Sequence, residues 1–148
     1  QPRRIPATAT GNNRISSSQP EKVVPVGKPI PINDFEFGEK KTLVMYLSTK
    51  CRYCTESAPF YKKILEANKS GNVKLVAVLP QDENEAREYF QKLGLQIDEV
   101  RQSSALMTIG IRATPSLLIA NDEGIVTDYW IGKLDPEREE QVITKLND

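Results

Sequence analysis

The chain has 148 residues, about the size of one domain core with a tail. Lys+Arg and Asp+Glu both count 20, giving zero formal charge, and no basic block interleaves with aromatics, which argues against nucleic acid or an anionic membrane as partner. There is no histidine at all, so Ser-His and Cys-His nucleophiles, histidine zinc sites and imidazole copper sites are excluded.

No window approaches the roughly 18 consecutive apolar residues of a membrane span, and no segment reads as a signal peptide. The chain is therefore expected to be soluble. A start at Gln1 rather than Met predicts that a targeting segment or anchor preceded it. Residues 1–26, rich in Pro, Ser, Thr and Asn without periodicity, read as a flexible tether, either a spacer from a membrane or a plain disordered end. Residues 27–148 read as the folded domain.

Val26 to Ile32 leads into Phe35-Glu36-Phe37, a short alternating piece expected to form an edge strand. After the turn Gly38 to Lys41, the apolar run Leu43 to Leu47 predicts a buried central strand. The following helix carries Phe60, Ile64 and Leu65 on one face, is expected to kink at Pro59, and meets a stop signal at Ser70-Gly71-Asn72.

Val73 to Leu79 is nearly continuous in apolar residues, as a parallel strand covered on both faces requires. Asp82 and Glu85 have capping-box spacing, and Ala86, Tyr89, Phe90 and Leu93 make an apolar stripe closed by Gly94, predicting a helix over 83–93. Leu95 to Val100 reads as a short extended piece, and Ser104 to Ile109 as a short helix ended by Gly110. Pro115 opens Ser116 to Ala120, Asn121 to Gly124 turns, and Ile125 to Ile131 returns as a hairpin. Asp135-Pro136-Glu137 starts a last helix whose buried face is Val142, Ile143 and Leu146. The order is β-α-β-α, a connecting segment, then β-β-α, an α/β class with parallel strands first and an antiparallel pair last.

The only two cysteines form Cys51-Arg52-Tyr53-Cys54, directly after the first buried strand. At a helix start, residues i and i+3 share a face and come close enough to bridge. A purely structural disulfide is disfavoured, since closing about four residues gives only roughly 2 kcal/mol in the chain-entropy model. A zinc site would need a second copy of the chain, because no further Cys or His completes a tetrahedron.

Cys-x-x-Cys after a strand, Pro59 five residues beyond the second cysteine, Ala113-Thr114-Pro115 opening a later strand, and the closing hairpin and helix together resemble the thioredoxin superfamily. Within it the chain is most similar to the TlpA/ResA type of extracytoplasmic thiol-disulfide oxidoreductase. The similarity runs from about Val26 to Leu146 and includes Gly27-Lys28-Pro29, the added material over 80–109, Gly124 and Gly132. The resemblance implies a thioredoxin-like fold, with a mixed sheet flanked by helices, and a cis Pro115 facing the dithiol. It further implies a monomer without cofactor that reduces protein disulfides outside the cytoplasm, in the periplasm or cell envelope, recharged by a membrane thiol reductase. Cytochrome c maturation is a common role of the type.

On this reading Cys51, at the helix N-terminus and flanked by Lys50 and Arg52, is the nucleophile, and Cys54 resolves the mixed disulfide. The backbone at Ala113, Thr114 and Pro115 pairs with an extended substrate, and Arg52 and Tyr53 stand beside it. Three features depart from the pattern. Thr49-Lys50 replaces the usual Trp before the first cysteine, Met45 stands where many relatives hold a buried Asp, and Ser57 occupies a frequent Glu position. Two other readings stay open: a peroxiredoxin-like peroxidase, suggested by Ser48 three residues before Cys51 although Val44 replaces the expected Pro, and a non-catalytic binding domain whose dithiol is a redox switch.

Overall fold

The computed structural model describes residues 24–148, so the expected tether falls outside it except for its last three residues. Five strands form one mixed sheet: β1 (Thr42–Tyr46), β2 (Lys74–Leu79), β3 (Glu99–Gln102), β4 (Ser116–Ala120) and β5 (Val126–Ile131). Their spatial order is β3-β2-β1-β4-β5. β1 pairs in parallel with β2 and antiparallel with β4, β2 pairs in parallel with β3, and β4 and β5 form the hairpin, bulged at Ile119/Ala120. The helices are α1 (Arg52–Glu56), α2 (Ala58–Ala67), α3 (Glu83–Leu93) and α4 (Pro136–Leu146), with a 3-10 turn over Ala105–Ile109.

β1 is the middle strand of the sheet and every residue in it is buried, and strand alternation divides it between two cores. Leu43 and Met45 face one side, where Phe60 and Ile64 of α2, Ala86 and Phe90 of α3, and Val142 and Leu146 of α4 cover them. Val44 and Tyr46 face the other, where Ile30, Leu106, Ile109 and Ile111 close the second core and Ile32, Phe35 and Phe37 pack at its rim. The α-helices thus lie on one face, and a 3-10 turn with extended chain covers the other. Each fully buried aliphatic side chain contributes about 1.5–3 kcal/mol of transfer free energy, so both faces are needed to hold β1 in place.

The helix caps follow the local sequence. Asp82 Oδ1 accepts the Glu85 N–H at 2.8 Å and Asp135 Oδ1 accepts the Arg138 N–H at 2.9 Å, which satisfies orphan donors in the first turns of α3 and α4. Gly94 ends α3 with φ 74°, a left-handed residue that glycine adopts without a Cβ penalty.

Several expectations need correction. Phe35-Glu36-Phe37 forms no strand; Asp34 and Glu39 have φ of 58° and 64°, and such left-handed residues interrupt an extended run on both sides. The two phenylalanines instead meet edge to face, with centroids 4.9 Å apart. Pro59 does not kink a continuous helix. The helix breaks at Ser57, and Pro59 falls in the first turn of α2, where its missing N–H would have no intrahelical partner anyway. α2 also stops earlier than Ser70, at Ala67, because the Asn68 side chain turns to bond both the N–H and the C=O of Val73 and ties the helix end to β2. The extended piece after α3 becomes a strand only at Glu99, where it reaches the free edge of β2; Leu95 and Ile97 before it are buried as coil.

Candidate active site

β1 ends at Tyr46, and the Leu47 N–H still bonds Val78 of β2 at 2.9 Å, so the chain leaves the sheet in a fixed direction before entering α1. Cys51 is the N-cap of α1, in extended conformation (φ −103°, ψ 112°), and its Sγ accepts the Cys54 N–H at 3.1 Å. The sulfur occupies the position of a capping oxygen, against donors at the positive end of a helix turn. Cys51 is partly exposed, whereas Cys54, one turn on, is only 1% exposed and belongs to the core under the helices.

That difference governs the chemistry. Burial pushes the Cys54 thiol up to about 12, and the neighbouring Cys51 adds to the shift. The Ser48 backbone and the Thr114 hydroxyl act in the opposite direction. At neutral pH Cys54 therefore keeps its proton until a base removes it.

The Thr114–Pro115 peptide bond is cis, and Pro115 is buried where it opens β4 next to the end of β1. The Ser116 hydroxyl donates to the Ala113 carbonyl at 2.6 Å, and the Gly132 N–H donates to the Pro115 carbonyl at 2.7 Å, which closes the loop from both sides. Among the described residues the N–H and C=O of Thr114 make no backbone hydrogen bond. Thr114 is thus near Cys54 through its side chain and has backbone groups available for an extended chain.

The flanking residues separate in their behaviour. Tyr53 is 54% exposed and projects from α1. Arg52 does not turn to the sulfur: its Nε pairs with Glu56 Oε2 at 2.9 Å, one helical turn along. Lys133 Nζ takes the other oxygen of the same carboxylate at 2.9 Å, so Glu56 joins α1 to the chain after β5. Hydrogen bonds from Lys133 and then Arg52 hold the Glu56 carboxyl below its usual range. Lys50 is exposed.

Two tyrosines, Tyr61 and Tyr89, lie near the cysteines although the sequence reading connects neither to the site. Tyr61, 2% exposed, lies under the dithiol, and burial, with the Cys54 charge next, pushes its hydroxyl well above the ordinary phenol range. The Tyr89 hydroxyl pairs with Thr55 Oγ1 at 2.8 Å, and Thr55 Oγ1 reaches back to the Cys51 carbonyl at 3.4 Å. The spacing 54, 57, 61 was the available signal for Tyr61, but an aromatic beside Phe60 in an apolar stripe reads first as core. Met45, where relatives of the resembled type hold an acid, is fully buried in the same core as Cys54. Val44 faces the opposite core, away from the sulfurs. Among the described residues no group of His, Cys, Asp or Glu could hold a metal ion, and no helix is long and apolar enough to cross a membrane.

No curated protein matches the chain. Solved structures do. A candidate thiol:disulfide interchange protein DsbE from Chlorobium tepidum superposes with a TM-score of 0.67 at 15% identity, covering 84% of this chain and 96% of that one. StoA from Bacillus subtilis gives 0.61 at 20% identity, covering 85% and 99%. A secreted disulfide oxidoreductase of Mycobacterium tuberculosis, homologous to E. coli DsbE, gives 0.59 at 13% identity, covering 75% and 83%. These likenesses establish the thioredoxin-like fold. The Redoxin family model matches residues 18–146, nearly the whole chain, and the protein belongs to the Redoxin family.

Proposed function

We propose that this protein is a thiol-disulfide oxidoreductase that reduces disulfides of protein substrates through Cys51 and Cys54. The observation that carries the reading is the contrast within one helical turn, a partly exposed sulfur capping α1 beside a buried thiol that holds its proton. The Cys51 thiolate attacks one sulfur of a substrate disulfide, forms a mixed disulfide and expels the other sulfur as a thiolate. Cys54 then loses its proton and attacks Cys51 Sγ, releasing the second substrate thiolate and leaving a Cys51–Cys54 disulfide. Two electrons pass to the substrate in the cycle.

Ala113, Thr114 and Pro115 supply backbone along which an extended substrate adds as a strand, with Tyr53 and Arg52 at its margin. With Met45 in place of an acid, proton removal from Cys54 is left to water or to a more distant carboxylate. Recharging requires a dithiol donor, for which a membrane thiol reductase fits an extracytoplasmic protein. The secreted mycobacterial neighbour supports that location, and residues 1–26 would serve as the spacer for the domain that follows.

The deciding experiment is the equilibrium reduction potential of the pair, by thiol trapping and intact mass across a dithiothreitol or glutathione series. A two-electron transition near or below about −250 mV identifies a reductase, and one toward about −120 to −180 mV an oxidant or isomerase. Absence of a reversible intramolecular disulfide ends the oxidoreductase reading.

A further inference from the structure

The loop Ser48-Thr49-Lys50, which connects β1 to the first cysteine, has no regular structure of its own and is held by side chains from the segment that follows β2. Because β1 and β2 run in parallel with Tyr46 opposite Val78, the residues just beyond both strands emerge side by side at the same end of the sheet. Gln81 arrives there two residues after β2. Its Oε1 accepts the Thr49 N–H at 3.1 Å, and its Nε2 donates to Ser48 Oγ at 3.0 Å. Ser48 Oγ also accepts the Lys50 N–H at 3.2 Å. Glu85, in the first turn of α3, adds a bond from Thr49 Oγ1 at 2.7 Å.

The clamped residues lead straight to the sulfurs. The Cys51 N–H donates to the Ser48 carbonyl at 3.2 Å, and the Ser48 backbone also acts on Cys54. A primary amide suits this task because it offers an acceptor and a donor at once without bringing a charge to the thiolate. We infer that Gln81 is a positioning residue of the redox site, its amide fixing the Ser48–Lys50 loop and thereby the placement of both cysteines. The inference rests on the dithiol reading above and adds a residue to it that neither touches sulfur nor lies near it in sequence.

The test compares the full chain with Gln81→Met, which keeps the length and flexibility but loses the amide, and Gln81→Glu, which keeps the acceptor for Thr49. Gln102→Leu serves as control, since that side chain bonds only the Pro80 carbonyl from an exposed site on β3. Three quantities are read: the iodoacetamide rate at Cys51, the reduction potential, and amide hydrogen exchange at Thr49 and Lys50. Gln81→Met is expected to slow alkylation about tenfold and to raise exchange at Thr49 and Lys50 at least tenfold, with β1 and β2 core amides unchanged. It should also lower the dithiol-disulfide equilibrium constant of the reduced form about tenfold, equivalent to about 30 mV toward more reducing values. Gln81→Glu keeps the acceptor but brings the charge that the amide avoids, so exchange at Thr49 should lie between Gln81→Met and wild type while alkylation slows and the potential falls at least as much as in Gln81→Met, and Gln102→Leu should match wild type. The inference is overturned if Gln81→Met and Gln81→Glu keep the wild-type rate and potential, or if they change only the melting temperature. Should Gln81→Met fail to fold, Gln81→Glu decides by the same readings. Failure of the dithiol reading itself looks different, because the wild type would then form no reversible Cys51–Cys54 disulfide.

Discussion

The two faces of the sheet do different work with similar materials. On the helical face, Leu43, Met45 and Leu47 meet α2, α3 and α4, and the same core holds Cys54 and Tyr61. On the other, Val44, Tyr46 and Leu118 meet a 3-10 turn and the chain over 30–37, with no thiol among them. The helical face is built from regular elements whose ends converge on the dithiol. The other is sealed by single side chains such as Phe37, and it supports β1 without touching the chemistry. One strand serves both because its side chains alternate.

The largest effect should come from the helical face. Cys51→Ser is expected to reduce disulfide reductase activity to background, while Cys54→Ser should still attack and should accumulate a mixed disulfide with substrate, visible by intact mass. Turnover persisting in Cys51→Ser would break the comparison at its root. On the opposite face, Leu118→Ala, at a fully buried position, should lower unfolding free energy by about 2–5 kcal/mol in urea titration while leaving the Cys51 alkylation rate of the folded protein within about twofold. A parallel loss of reactivity would show that the faces are not separable.

Gly124→Ala sharpens the same point at a single turn. Gly124 has φ 80°, and a Cβ there would stand 2.8 Å from the Phe37 ring, so the substitution strains backbone and packing together. We expect about 1–3 kcal/mol of destabilisation by chemical unfolding, again without a change at the thiols.

The pH dependence separates the redox states. Cys54 has a folded value raised to about 12 from the ordinary thiol range near 8.5, so the unfolded reduced chain releases this proton first. The stability of the reduced protein on this account is complete below about pH 8.5 and declines as pH rises toward about 12. The oxidised protein has no thiol there to ionise. The unfolding free energy of the reduced protein should therefore fall relative to that of the oxidised protein over that window, and a constant difference would place Cys54 in a wetter site than the structure does. The smallest effect is expected at the surface: Glu56→Gln removes a negative charge from α1 and loosens Arg52 and Lys133, the two cations that pair with it, and should raise the Cys51 rate toward an anionic reagent such as iodoacetate by less than about threefold, an increase that salt removes.

Much of the helical face was legible in the sequence. The apolar runs at 43–47 and 73–79, the caps at Asp82 and Asp135, and the hairpin opened by Pro115 all became elements within a residue or two of expectation, because each signal is local. The opposite face was misread at Phe35-Glu36-Phe37, where alternation suggested a strand but both sheet edges were already assigned to β3 and β5. The break at Ser57 instead of a kink at Pro59 shows the same limit, since the Ser57 hydroxyl bonds the Tyr53 carbonyl at 2.8 Å and closes α1 before the proline is reached.

At the site, the sequence by itself determined that the two cysteines stand together, because an i, i+3 spacing at a helix start brings two side chains together whatever surrounds them. It determined also that no imidazole takes part. Only the tertiary structure decided which sulfur is buried, that Arg52 turns to Glu56 and Lys133 instead of the thiol, and that Gln81, 30 residues away along the chain, holds the loop before Cys51. Burial and side-chain pairing depend on which strands are neighbours. The pairing of β1 with β2 and with β4 joins segments far apart in sequence, and no local pattern encodes it.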